Sequence, residues 1–236
     1  FPSIFTISFK TPLLSFKNFS YSLTDSFMRV RSILENGEIG ELVSINTMFS
    51  FNAEKRYRIR FSQELCGGSF LDLGCYSIDL ISQLRTAEIT NVTTMCNGPR
   101  GEGVKWLDSL NSPIDATCIC KLELTDAFSA TVSTSIETYP QQWITIQGTK
   151  GTIIAPNLFR QEGSIPMVIL CKDNEIQTFN FNIKPQEVLL LEWFANRMSD
   201  DNIGTSEDQW MRWKANVSII EAVAKEIKGS LPNFLS

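Results

Sequence analysis

The sequence predicts an α+β fold in which a large, mostly antiparallel, open-faced sheet carries helices on one face. Eight runs between residues 41 and 181 have the alternating or β-branched composition of strands. Short turns such as Thr125-Asp126 and Gly148-Thr-Lys-Gly151 join consecutive strands directly, which is typical of antiparallel hairpins. Helical periodicity is confined to four stretches, two of them at the end of the chain. The length of 236 residues and the 43% hydrophobic content fit one large domain.

The first predicted elements are a helix over residues 24–36 and a strand over residues 41–51. Thr24 or Asp25 can cap the helix, apolar residues recur in it at helical spacing, and Gly37 ends it. The strand alternates apolar and polar residues and leads into a polar loop over residues 52–64.

The second predicted helix covers residues 69–84 and follows the pair Gly67 and Gly68. The remaining strands are predicted at residues 89–96, 116–124, 128–138, 143–147, 152–155, 167–171 and 176–181. Two helices close the chain over residues 186–198 and 206–228. Ser206 can cap the last helix, with Gln209 at the capping-box position.

One face of the sheet is predicted to lie open. The strand over residues 128–138 alternates serine and threonine with alanine, valine and isoleucine, so its outer face is half polar. Such a face suits water or a moderately polar contact with another subunit. We therefore predict self-association through the open face to a homo-oligomer.

Composition excludes several classes of function. The net charge of −5 and the absence of a lysine and arginine stripe argue against a nucleic-acid partner. The chain has no histidine, which excludes a histidine-based triad and a histidine-liganded zinc site, and no metal site is predicted. The six cysteines contain no CxxC pair and are interpreted as free thiols in a reducing cytoplasm. No stretch is long and apolar enough for a membrane span.

The beginning of the chain differs from the rest in composition. Residues 1–20 are predicted to be an irregular segment ahead of a single domain over residues 21–236. The first residue is Phe1, and the segment has neither a basic start nor a small-residue cleavage site, so it does not resemble a signal peptide. Two interpretations stay open: the segment is the end of a fragment, or the start of the sequence is misread.

The stretch CGGSFLDLGCYSID, residues 66–79, carries the residues best suited to chemistry. Gly67 and Gly68 open a helix, where free backbone amides can meet an anion or a substrate hydroxyl. Asp72 and Tyr76 are four apart and share a helix face, so the carboxylate can orient a phenol that exchanges a proton with a carbinol oxygen. Asp79 follows three residues later. On these residues alone, a solvated helix face preceded by an ordinary turn remains an open alternative.

The segment GGSFLDLGCYSIDL resembles the helix motif of the Gfo/Idh/MocA family. That motif begins with a run of glycines, continues with Asp-x-Gly-x-(His or Tyr) and often ends with a further Asp. Four other segments resemble that family in the expected order. The helix and first strand that follow the family's nucleotide-binding half are resembled by RVRSILENGEIGELVSINTMFSFN, and its arginine-bearing loop is resembled by RIRFSQELCGGS. A strand-turn-strand signature of the family is resembled by ITIQGTKGTI, and its closing helix is resembled by TSEDQWMRWKANVSIIEAV. The resemblance runs from about residue 21 to residue 235.

This resemblance implies NAD(P)-dependent oxidation of a sugar, inositol or related polyol carbinol, or reduction of the corresponding ketone. It implies that Asp72 positions the substrate and that Tyr76 takes the place of the catalytic His or Tyr. The residues that it implies for substrate binding are Arg60, Gly67, Gly68 and Asp79.

The chain departs from the family in two places. Cys66 stands where the family has its first glycine. The family also begins with a Rossmann domain that has a glycine-rich loop and a catalytic lysine, and this sequence has no G-x-G-x-x-G after a strand. No Rossmann domain is therefore predicted here, and the NAD or NADP site implied by the family is expected to lie largely outside this chain.

Two other functions remain open. The chain could be a non-catalytic binding or oligomerisation protein that kept the sheet, or a cofactor-independent hydrolase or isomerase that uses Tyr76 with Asp72. No nucleophile elbow or metal cluster in the sequence supports the second. Trp106, Tyr139 and Trp143 could stack on a sugar ring, although packing in the core or an interface is the favoured interpretation of each.

Overall fold

The computed structural model describes residues 5–7, 14–16, 19–53, 58–62, 65–85, 87–99, 114–161, 165–198 and 207–230. The described strands are β1 (Phe5–Ile7), β2 (Leu14–Phe16), β3 (Leu42–Asn52), β4 (Ile89–Asn97), β5 (Thr117–Leu124), β6 (Ser129–Ser135), β7 (Glu137–Gly148), β8 (Gly151–Ile154), β9 (Met167–Lys172) and β10 (Glu175–Asn180).

Eight of these strands form one sheet in the order β10-β9-β8-β7-β3-β6-β5-β4. Each neighbouring pair is antiparallel except β3 and β6, which run parallel. The earliest strand of the sheet, β3, therefore lies between two later ones. The predicted α+β class with a large, mostly antiparallel sheet is confirmed.

Strand β7 is longer than the predicted strand over residues 143–147. Its ladder with β3 runs from Gly148 opposite Leu42 to Glu137 opposite Asn52, with a register shift before Glu137. The shift places Pro140 in a bulge, where its missing N–H costs no ladder hydrogen bond. The Ser50 hydroxyl donates to the Tyr139 carbonyl there, with 2.8 Å between the oxygens.

The described α-helices are α1 (Asp25–Glu35), α2 (Cys75–Leu84), α3 (Gln186–Met198) and α4 (Glu207–Ser230). The predicted cap of α1 is confirmed, because the Thr24 hydroxyl accepts a hydrogen bond from the Phe27 amide. The predicted cap of the last helix, Ser206 with the Gln209 side chain, lies outside the described residues.

Residues 69–84 were predicted as one regular helix, and here the structure differs. A single π-helical turn, Phe70–Gly74, precedes α2. At Gly74 a Cβ would lie 2.6 Å from the Phe70 ring, so only a glycine lets that ring lie against the turn. Short π-turns of this kind widen a helix locally and occur often at functional sites.

The core lies between the sheet and the helices. On β3, Ile45, Thr47 and Phe49 are buried, while the alternate residue Met48 is exposed on the opposite face. Helix α4 lies against β4 and α2 on the covered side. Alternation on a pleated strand therefore divides the sheet into a covered face and an open face.

The beginning of the chain contains a short pair of strands. Within residues 1–20, predicted to be irregular, β1 and β2 form an antiparallel pair with Phe5 opposite Phe16. No helix in the described ranges is long and apolar enough to cross a membrane.

Candidate functional site

The structure brings together Arg60 and Asp72, two residues that the sequence singled out. Arg60 lies on a 3₁₀ turn, Arg58–Phe61, and Asp72 lies on the π-turn before α2. The Arg60 Nε donates to Asp72 Oδ2 across 2.8 Å, and each side chain is about one third exposed, 34% and 32%. The guanidinium carbon also lies 5.2 Å from the centre of the Phe51 ring. A partly exposed carboxylate held in place by an arginine suits recognition of a hydroxyl group.

The pair Gly67 and Gly68 packs against the turn that carries Arg60 and is hydrogen bonded to it. The Gly67 amide donates to the Ser62 carbonyl over 2.7 Å, and the Gly68 amide donates to the Arg60 carbonyl over 2.9 Å. A Cβ on Gly67 would meet the carbonyl oxygens of residues 59, 60 and 62 at 2.6–2.7 Å. The free amides that the sequence suggested are therefore bonded within the chain. Direct contact of either glycine with a substrate stays a prediction.

Cys66, which stands where the family pattern has a glycine, has an unusual backbone conformation. Its φ is +55°, in the left-handed region that glycine enters most easily. The backbone therefore has a conformation for which a glycine is the usual choice. The Cys66 side chain is exposed, so its extra bulk meets solvent.

Asp115 is a part of the site that sequence reasoning missed. Its Oδ2 accepts hydrogen bonds from the Ser69 hydroxyl at 2.8 Å and the Phe70 amide at 2.7 Å, and its backbone carbonyl accepts from the Ser69 amide. Asp115 thus caps the turn that carries Asp72, although it is 45 residues from Phe70 along the chain. The one signal in the sequence was a lone carboxylate directly before an apolar strand.

Tyr76 is half-buried on α2 among aromatic rings. Its ring centre lies 5.0 Å from that of Phe19, 5.7 Å from Phe49 and 5.8 Å from Phe159. Burial raises the pKa of the phenol, nearby Cys75 and Asp72 raise it further, and Arg160 opposes them. Tyr76 is therefore a neutral proton donor at neutral pH.

The sequence predicted that the carboxylate of Asp72 lies beside the phenol of Tyr76. In the structure Asp72 bonds instead to Arg60, and no hydrogen bond within the described parts of the chain engages the Tyr76 hydroxyl. The π-turn adds a residue to the helical turn between them, which displaces the expected i, i+4 alignment. The Tyr76 hydroxyl is thus not hydrogen bonded to Asp72 or to any other described residue.

Asp79 lies deeper and holds several elements together. It is 7% exposed, and its carboxylate oxygens accept from the Tyr21 hydroxyl at 2.8 Å, Gln83 Nε2 at 2.7 Å and Asn216 Nδ2 at 2.9 Å. These donors tie α2 to α4 and to the 3₁₀ turn Ser20–Leu23. Substrate binding by Asp79 stays a prediction, and its hydrogen bonds favour a positioning role.

Of the three predicted aromatic residues, Trp106 lies outside the described residues. Tyr139 is 88% exposed in the β7 bulge, and Trp143 is 43% exposed opposite Met48 on the open face of the sheet.

The described residues do not fit a dinucleotide cofactor. A pyrophosphate is usually held by free amides at a helix start that follows a parallel strand and a glycine-rich loop. The nearest counterpart, the turn at Ser69 and Phe70, has both amides bonded to Asp115.

Comparisons with known proteins agree with this fold. Residues 27–154 match the family model described as the GFO/IDH/MocA C-terminal domain. Among curated protein sequences, no match is found.

Three kinds of solved structure resemble the chain. A variant of KijD10, a 3-ketoreductase from Actinomadura kijaniata in complex with NADP and TDP-benzene, has TM-score 0.75 and 18% identity over 89% of this chain and 61% of that one. An aldose-aldose oxidoreductase from Caulobacter crescentus, complexed with glycerol, has TM-score 0.69 and 14% identity, and the match covers 90% of this chain and 61% of that one. An oxidoreductase structure from Thermotoga maritima has TM-score 0.64 and 18% identity, and the match covers 92% of this chain and 61% of that one. The chain spans about three fifths of the length of these structures.

Proposed function

Because the chain belongs to the GFO/IDH/MocA family, we propose that residues 21–236 form the substrate-side domain of an NAD(P)-dependent oxidoreductase for a sugar, inositol or related polyol carbinol. The observation that carries this proposal is the family match over residues 27–154, which includes Arg60, Asp72 and Tyr76. The similar fold of a 3-ketoreductase and an aldose-aldose oxidoreductase supports a sugar as the substrate.

Each residue then has a role that its surroundings support. The Asp72 carboxylate accepts a hydrogen bond from a substrate hydroxyl, and Arg60 fixes its orientation. The Tyr76 phenol, kept neutral by burial, donates its proton to a carbonyl oxygen when the ketone is reduced. Arg160, whose positive charge acts on that phenol, favours the tyrosinate that forms in this step.

We propose that the cofactor, NAD or NADP, is bound by a Rossmann half and that residues 21–236 are inactive without one. The occupied amides at Ser69 and Phe70 support this division, since they offer a pyrophosphate no donors. Hydride transfer is the chemistry that such a cofactor supplies. The residues in this chain bind and orient the substrate and supply the proton at its oxygen.

Binding of sugars tests the proposal. We expect Asp72→Asn to raise the Kd for the best ligand among D-glucose, myo-inositol and glycerol by about 10- to 100-fold, because a charge-assisted hydrogen bond becomes a neutral one. The measurement is ligand-detected NMR titration of the purified chain at millimolar ligand.

Asp126→Asn is the matched control, since Asp126 also pairs with an arginine, Arg85, at 3.2 Å but lies in an exposed turn. Equal affinities of the Asp72→Asn and Asp126→Asn proteins would contradict the assigned site. Failure of all three ligands to bind to the wild-type chain would contradict polyol recognition by this domain.

A second, compatible function is self-association through the open face. One cross-strand row there contains four exposed apolar side chains, Met95, Ile119, Met48 and Trp143, with Ser133 between Ile119 and Met48. The open face of eight strands spaced about 4.8 Å apart has an area of roughly 800 Å² per copy. This is about the surface that each partner buries in a standard stable protein interface. We propose a second copy of this chain as the occupant.

We expect the wild-type chain to sediment as a dimer and the Met48→Lys protein to sediment as a monomer at the same micromolar concentration. A lysine in the middle of the row would lose hydration without gaining a partner, which weakens association by about 100-fold or more. The measurement is sedimentation velocity. Met28→Lys, at a residue 51% exposed on helix α1 and outside the open face, serves as the control and should remain dimeric. A monomeric wild-type chain, or a dimeric Met48→Lys protein, would refute this interface.

A further inference from the structure

Two cysteines face each other across neighbouring strands. Cys96 on β4 is directly opposite Cys118 on β5, and their sulfur atoms are hydrogen bonded at 2.8 Å. Both are free thiols in the structure, as are the other four cysteines. Cytoplasmic location stays a prediction.

The geometry points to a covalent link. Directly opposed residues on antiparallel strands have Cα atoms about 4.5–5.5 Å apart, and disulfides accept Cα separations of about 4.4–6.8 Å. Both side chains already point to the same side of the sheet, with their sulfur atoms in contact. We propose that Cys96 and Cys118 form a reversible cross-strand disulfide by exchange with a low-molecular-weight disulfide such as oxidised glutathione.

Exposure decides which sulfur reacts first. Cys96 is partly exposed, whereas Cys118 is fully buried. Hydrogen bonding to Cys96 and burial both raise the pKa of the Cys118 thiol, so it reacts poorly with a reagent from solvent. The initial attack therefore comes from Cys96.

The exchange then has two balanced steps. The Cys96 thiolate attacks one sulfur of the glutathione disulfide, forms a mixed disulfide and releases one glutathione thiolate, which takes up a proton. Cys118 next attacks the Cys96 sulfur, its own proton passes to the departing second glutathione, and the Cys96–Cys118 bond forms. Two protein thiols are oxidised and one glutathione disulfide is reduced to two glutathione thiols.

The neighbouring cysteine does not compete for the same bond. Cys120 is two residues from Cys118 and is buried on the same face, but its cross-strand neighbours are Thr94 and Val132. Among the described strand pairs, the register places one thiol directly opposite another at Cys96 and Cys118.

The test incubates the full chain with oxidised glutathione and maps its peptides by mass spectrometry. The peptides of Cys96 and Cys118 are expected to be joined, and the joined pair should weigh two hydrogen atoms less than the two reduced peptides together. Because the bond closes a loop between residues 22 apart, Tm should rise by on the order of 5–10 °C and return after treatment with dithiothreitol.

Variants separate this outcome from non-specific oxidation. Cys118→Ala should accumulate a stable glutathione adduct on Cys96, while Cys171→Ser should form the same disulfide as the wild-type chain. Exposed Cys66 reports that the oxidant was active. A stable wild-type adduct on Cys96, or an unmodified pair while Cys66 reacts, would overturn the proposal. If the Cys118→Ala protein does not fold, the wild-type peptide map alone decides.

Discussion

Gly68→Ala is expected to lower the free energy of unfolding by about 4 kcal/mol or to prevent folding. The φ of Gly68 is +112°, which non-glycine residues essentially do not adopt, and this strain alone costs about 1–3 kcal/mol. A Cβ at this position would also overlap Oδ1 of Asp115. The new methyl group would therefore displace the carboxylate that caps the Asp72 turn.

Gly37→Ala is the matched control for this measurement, which is urea unfolding followed by circular dichroism. Gly37 also has a positive φ, +65°, but nothing lies within 4 Å of an added Cβ. Its replacement should cost about 1 kcal/mol. If the free energies of unfolding of the two alanine variants agree within about 1 kcal/mol, Asp115 does not approach Gly68 as closely as described.

The stability of the wild-type chain relative to Asp115→Asn is expected to fall by about 2.5 kcal/mol between pH 4 and pH 7. Burial raises the pKa of Asp115 from 3.8 to about 6, against the lowering effect of hydrogen bonds from Ser69 and Phe70. Between these two values the folded state binds more protons than the unfolded state. The free energy of unfolding therefore decreases as the pH rises through this window, by about 1.4 kcal/mol per pKa unit.

The experiment compares urea unfolding of both proteins at pH 4, 5, 6 and 7. Asparagine at position 115 keeps an oxygen that can accept from Ser69 and Phe70 but does not titrate, so the comparison isolates the protonation of the carboxyl group. Parallel pH profiles for the two proteins would contradict a raised pKa at Asp115.

Local patterns in the sequence were enough to predict most of the elements. Helix α1 was predicted with its Thr24 cap, and the eight strands of the sheet were predicted with bounds that differ by a few residues, because periodicity and capping depend on near neighbours in the chain. The main difference in a strand, the length of β7, arose at Pro140. A proline ends a regular strand in a local pattern, whereas the ladder with β3 tolerates it in a bulge.

The candidate site was predicted in part. Arg60, Asp72 and Tyr76 were identified from the family resemblance, and the structure brings Arg60 and Asp72 into contact. The expected pairing of Asp72 with Tyr76 rested on a regular helix, and the π-turn changes that alignment. Asp115 could not be found in this way, since its partners lie 45 and 46 residues away in the sequence.

The sequence by itself determined the fold class, the order of the elements and the residue types available for chemistry, because these depend on side-chain periodicity and composition. Only the tertiary structure decided that β3 lies between β6 and β7, that Asp115 caps the Asp72 turn and that Cys96 faces Cys118. Each of these depends on strand register and on packing between distant segments. Such contacts form when the whole core is buried, and no local pattern encodes them.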